Sequence, residues 1–103
     1  MADGGDVKPE VRYEEREVTP DYARELRAKQ PKDGKPRNLK RGSLNKIERA
    51  LRDGSFHMDA NTVKIGWPSG ATLDGNHRLQ AVINTGITVR MRFAINVPDE
   101  TLD

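Results

Sequence analysis

Apolar positions change their period several times along the chain, and each change marks an element. In "VRYEEREV" (11–18) only Val11, Tyr13 and Val18 are apolar among charges, a pattern that fits a short edge strand at most. "TPDYARELRAKQ" (19–30) then takes on helical spacing, with Tyr22 and Leu26 on one face. Thr19 is the expected N-cap, Pro20 fits the first helical position, and Asp21 and Lys29 suit the two ends of the dipole. "PKDGKPRN" (31–38) reads as a loop. In "SLNKIERALRDG" (43–54), Leu44, Ile47 and Leu51 form a stripe opposite Lys46, Arg49 and Arg52, with Ser43 the expected cap and Gly54 the stop.

Period two returns in "NTVKIGWPSGATL" (61–73), where Val63 and Ile65 alternate with Thr62 and Lys64, "PSG" turns the chain, and "ATL" leads back. "NHRLQAVINTG" (76–86) resumes helical spacing, with Leu79, Val82 and Ile83 inward and Gly86 as the stop. "TVRMRFAIN" (88–96) alternates most cleanly. Val89, Met91, Phe93 and Ile95 face one way and Arg90 and Arg92 the other, so the sheet should be covered on one face only. The order strand, helix, helix, strand, strand, helix, strand predicts an α/β or α+β fold: a mixed sheet of short strands with about three helices.

The 103 residues are enough for one modest core, burying roughly two-thirds of the surface that the unfolded chain exposes. Residues 1–8 carry no periodic apolar positions, so 1–10 are expected to be a flexible tip and 11–103 one domain. The chain has no cysteine, which excludes disulfides, thiol catalysis and Cys-based metal sites. No run of 18 apolar residues suggests a membrane span, and "MADGGDVKPE" has no apolar signal region, so a cytoplasmic location is expected. The net charge of +2 is unevenly spread. Residues 37–64 hold 7 basic and 3 acidic side chains, a net of +4, while 1–36 (8 and 9) and 65–103 (3 and 4) each net −1. An anionic partner would therefore be met in the central block; a solvated helix face is the plainer account.

The densest chemistry lies in "LDGNHRLQAVINTG" (73–86). A strand entering a glycine turn that opens a helix leaves the first N–H groups of that helix without intrahelical partners, at the positive end of its dipole. Gly75 allows close approach of a ligand, Arg78 offers a bidentate grip on phosphate, and His77 offers a proton donor or shuttle. The residues equally allow a plain cap, with Asp74 capping the helix and pairing with Arg78. His57 beside Phe56 suits a structural role, and Trp67 suits packing at the sheet edge more than base stacking. Asp59 and Asp74 are the nearest carboxylates, and no Asp/Glu cluster suggests a metal site.

"LDGNHRLQAVINTG" resembles the "DGQHRLxA" signature of the ParB-like, or ParB/sulfiredoxin, superfamily, and especially its small members in bacteriophages and prophages. The similarity extends over about 37–97: a loop with "RN", a helix ending "ALRDGSF", an extended "TVKIGWPSGATL" and the strand "ITVRMRFAI", in the family's order. The resemblance implies a small α/β fold that holds nucleotide phosphates, with ATP or CTP and Mg2+ as the cofactor. Gly75, His77 and Arg78 would form the phosphate-binding core, Asp74 would position the turn, and Arg37 would reach in from the preceding loop. Asn76 belongs to the same turn. It stands where the sulfinic acid reductases of the superfamily carry a cysteine, which excludes their chemistry. The helix-turn-helix and dimerisation parts of chromosome-partitioning members are expected to be missing from this chain.

Two functions follow as expectations. One is a phage-type ParB-like domain that binds a nucleotide or nucleic-acid phosphate at 74–78, with a slow NTPase or phosphotransfer activity in which His77 moves a proton and Arg78 stabilises charge. The other is a non-enzymatic protein that docks on DNA or a host bacterial protein through the basic helix, with Lys40, Arg41, Lys46, Arg49 and Arg52 as contacts.

Overall fold

The computed structural model describes residues 9–30, 39–57 and 62–99. In chain order the elements are β1 (Arg12–Val18), α1 (Pro20–Ala28), α2 (Arg41–Asp53), β2 (Thr62–Trp67), β3 (Thr72–Asp74), α3 (Asn76–Thr85) and β4 (Val89–Pro98). This is the expected α+β order. The strands form one mixed sheet in the order β1-β4-β2-β3. β4 lies inside it, antiparallel to β1 and parallel to β2, while β3 returns antiparallel to β2. β1 is an edge strand, as its charged pattern predicts.

Registers explain which side chains meet. Val63 lies opposite Phe93 and Val18 opposite Val89, so the apolar positions of three strands share a face. Val18, Val63, Met91 and Phe93 on that face are buried together with Ala23 and Leu26 of α1, Leu51 of α2 and Leu79, Ala81 and Val82 of α3. All three helices therefore cover one side of the sheet. Tyr22 stacks on Phe93 with ring centroids 6.2 Å apart, and the Arg16 guanidinium lies over the Phe93 ring, 5.1 Å from its centroid. The opposite face carries Glu15, Arg90, Arg92, Lys64 and the exposed Tyr13. Ala94 of β4, flanked there by Tyr13 and Lys64, is nonetheless buried.

α1 starts as its sequence dictates, with the Thr19 hydroxyl accepting the Tyr22 N–H at 3.1 Å. α2 does not. It begins at Arg41, two residues before the expected Ser43 cap, with Lys40 flanking it and no side-chain cap. The reason is tertiary: the Lys40 N–H donates to His77 Nε2 of α3 at 3.0 Å, which fixes the start of α2 from outside. Both C-terminal stops are as expected, with Gly54 and Gly86 left-handed. Trp67 is half-buried at the end of β2, opposite Pro98 of β4.

α3 runs alongside both other helices. Lys40 meets His77 at one end, and eight residues on from Lys40 and seven on from His77 Glu48 accepts from Asn84 at 2.8 Å, so α2 and α3 are parallel. Gln30 donates to Asn76 at 3.1 Å while Arg27 donates to Gln80 at 2.7 Å, so α1 and α3 are antiparallel. The Thr72 hydroxyl ties β3 to the end of α1 by donating to the Leu26 carbonyl at 2.7 Å.

Two left-handed glycines make a test of this packing. Gly54, at φ +77°, has open space where a side chain would go. Gly75, at φ +105°, would place a Cβ 3.0 Å from Val63 Cγ2 and 3.1 Å from Val63 Cα. In urea unfolding, Gly54→Ala should cost about 1 kcal/mol from backbone strain alone, and Gly75→Ala roughly 2–3 kcal/mol from strain plus overlap. Equal losses would mean that the β3–α3 turn is not pressed on β2.

Candidate anion-binding site

Gly75 sets the site. Its left-handed conformation turns the chain from β3 directly into α3 over Val63, and the first helical bond runs from the Leu79 N–H to the Gly75 carbonyl at 3.1 Å. The N–H groups of Asn76, His77 and Arg78 precede that bond and have no intrahelical acceptor. Asp74 does not cap the helix. Its Oδ1 accepts the Gly75 N–H at 2.8 Å, its Oδ2 faces Lys64 at 4.0 Å, and Arg78 is not in ion-pair contact with it. Asp74 thus holds the turn and leaves the helix start open.

Arg78 is held in an unusual state. Its guanidinium is half-buried, and Nη1 reaches only the Thr62 carbonyl, at 3.5 Å. Nε is sealed from solvent with no hydrogen-bond partner among the described residues. Burial pushes the Arg78 pKa below its ordinary value, and the nearby Asp74 charge partly opposes that shift. The group stays cationic. A cation held this way has no direct ion pair among the described residues, and Asp74 offsets its desolvation only in part.

His77 is engaged with the start of α2. Because Nε2 accepts the Lys40 N–H, the ring proton sits on Nδ1, and that is the nitrogen left for a ligand. Asn76 accepts from Gln30. The structure therefore gathers Asp74, Gly75, Asn76, His77 and Arg78 at one helix start and adds Lys40 through its backbone. The Lys40 amide, the Thr62 carbonyl and Gln30 are distant in sequence, and no local pattern marks them. Arg37 and Asp59 lie outside the described residues.

The electrostatics of this end are one-sided. α2 and α3 are parallel, so the positive ends of two helices lie side by side. Neither has a side-chain cap, and neither has an acidic residue in its first turn. α1, by contrast, has both Thr19 and Asp21. Lys40, Arg41 and Arg78 add their charges at or beside these two starts. Asp74, just before α3, is the nearby anion at these starts, and the cations there favour the approach of a further one. Lys46, Arg49 and Arg52 lie further along α2, exposed, with Arg52 paired to Glu48 at 3.7 Å. His57 is exposed beyond the end of α2, away from the turn in sequence and not part of the cluster described.

No family model matches this chain, and no curated protein matches it. Among solved structures it is similar to a Pnob8-like ParB-N domain, with a TM-score of 0.52 and 18% sequence identity over 90% of this chain and 34% of that one. At that identity the likeness is one of fold. The chain has a ParB-like fold.

The His77–Lys40 bond gives a direct check on the joined helix starts. His77→Ala should raise the hydrogen-exchange rate of the Lys40 amide about fivefold, the loss of roughly 1 kcal/mol of hydrogen bonding, while His77→Gln retains part of the protection. Unchanged exchange in both variants would mean that the two starts are not joined through this ring.

Proposed function

We propose that the first turn of α3 binds a phosphate group of a nucleotide or nucleic acid, with Arg78 as the anchoring cation. The observation that carries this reading is the half-buried Arg78 guanidinium, with Nε unpartnered among the described residues and Nη1 in one long contact. The open N–H groups of residues 76–78 supply directional donors, and His77 Nδ1 supplies a further one. A nucleoside triphosphate such as ATP or CTP fits this chemistry because its phosphates spread negative charge over the two adjoining helix starts. Among the described residues no three His, Asp or Glu side chains are grouped as a metal site. A Mg2+ ion would accordingly travel with the phosphates.

The ParB-N-like fold supports the same reading by analogy of fold. Phosphate transfer or hydrolysis would also need a group that takes a proton from the attacking oxygen; with Nε2 accepting from Lys40, His77 Nδ1 carries the ring proton and serves as a donor to phosphate and not as that base. Binding is the core of the proposal, and turnover is a separate property that binding makes testable.

Arg78→Met separates binding from folding. Titration calorimetry with ATP, CTP and inorganic triphosphate should show at least one ligand whose affinity falls about 10- to 100-fold in the variant, the usual worth of a charge-assisted contact. Chemical unfolding of the same variant should show stability unchanged or slightly increased, because a desolvated cation has been replaced by an apolar chain of similar length. No binding to the parent chain would refute the proposal. A variant that unfolds early and binds normally would make Arg78 a structural residue.

A further inference from the structure

Two strand edges bound the sheet, and they are finished differently. The β3 edge is three residues long and already covered, because the Thr72 N–H donates to the Lys29 carbonyl at 2.6 Å and the Thr72 hydroxyl to the Leu26 carbonyl. β1 is seven residues long, and outside its ladder with β4 no backbone hydrogen bond of residues 11–17 is formed among the described residues. An open ladder of that length is a template for a further strand. The same segment carries both of the exposed large apolar side chains among the described residues, Tyr13 at 61% and Val11 at 41%.

The charges of β1 select the strand that fits. Charged edges normally repel other strands. Here the order of the charges rejects all but one way of pairing the strand with itself. In a symmetric antiparallel pair, a two-fold axis normal to the sheet sets one residue opposite its own copy. Of Arg12, Tyr13, Glu14, Glu15, Arg16 and Glu17, only Tyr13 is uncharged, so any other centre among them brings like charges face to face. A centre at Val18 would run the pairing into Pro20, where α1 begins.

Centred on Tyr13, the strand is complementary to itself. Arg12 lies opposite Glu14 and Glu10 opposite Arg16, each twice by symmetry, and no like charges meet. Glu10 keeps its place beside β4, its carbonyl accepting from Asn96 at 3.3 Å, so the pairing can run over 10–16. Alternation puts Arg12, Glu14 and Arg16 on the helix-covered face, where Arg16 lies over Phe93, and Tyr13 with Val11 on the open face. We infer that β1 is a self-association edge, through which two copies of this chain join antiparallel about Tyr13 and merge two four-stranded sheets into one. This edge is at the opposite end of the sheet order from β3, which leads into the α3 turn, so the inference stands apart from the phosphate reading.

Sedimentation equilibrium of the full chain over about 10 µM to 1 mM should show a monomer–dimer equilibrium, weak because one strand pair is a small interface. Alternate amides of 10–16 should exchange more slowly with solvent as the concentration rises. Arg12→Glu and Glu14→Lys, each alone, set like charges opposite each other twice and should weaken association at least about tenfold. An equimolar mixture of these two variants restores opposite charges at every such position and should associate like the parent. Tyr13→Glu, at an exposed site, should abolish association with an unchanged melting temperature. A chain that is monomeric at the top of the concentration range, or a dimer whose 10–16 amides gain no protection, overturns the inference. So does a mixture that stays dissociated when both variants show folded melting curves, or a Tyr13→Glu chain that associates like the parent.

Discussion

The contact between Gly75 and Val63 is the constraint on which the rest of the structure depends. The chain leaves β3 in a left-handed conformation and enters α3 with no room for a Cβ, because Val63 of β2 already fills that space. This close approach lays α3 across the sheet with its N-terminus beside the beginning of β2. From there Arg78 reaches the Thr62 carbonyl and His77 reaches the Lys40 amide. Gly75 thus has two roles, conformational and steric, and both precede any ligand. The sequence motif suggests a glycine that lets a phosphate approach; the structure adds a glycine that lets two elements of the protein approach each other.

Placing α3 in this way aligns it with α2, and the alignment has an electrostatic cost. Parallel neighbouring helices add their dipoles, whereas antiparallel ones offset them. The protein does not relieve this with acidic side chains in either first turn, and instead adds Lys40, Arg41 and Arg78. Asp74 is close enough to raise the Arg78 pKa somewhat, yet burial dominates and the net shift is downward. Its carboxylate is engaged with the Gly75 N–H and Lys64. A fold that only needed a stable turn could have used Asp74 as the cap. Leaving the helix start open while surrounding it with cations makes sense for a surface that meets an anion.

Much of this was legible locally. Thr19, Gly54 and Gly86 mark helix ends because capping and left-handed stops are made by residues adjacent in sequence. The alternation of 88–96 gave β4 its inward Met91 and Phe93, although the strand runs on to Pro98 and Ala94 is buried on the outer face too. Ser43 misled because its spacing suits a cap, while the actual start of α2 is set by a histidine 37 residues away. The parallel β2–β4 pairing and the side-by-side helix starts are tertiary facts with no local signature. "DGNHR" marks the start of α3 locally, and what it could not show was that Asp74 turns away from the helix while Arg78 is half-buried without a full set of partners among the described residues.

The most direct measurement is an amide NMR map of the chain on adding ATP or CTP. Saturable shifts concentrated at the amides of Gly75, Asn76, His77 and Arg78, with smaller ones at Lys40 and Arg41, are expected if phosphate binds where the two helix starts meet. Shifts that saturate elsewhere, for example around Tyr13 and Lys64 on the uncovered face of the sheet, with these amides unmoved, would contradict it.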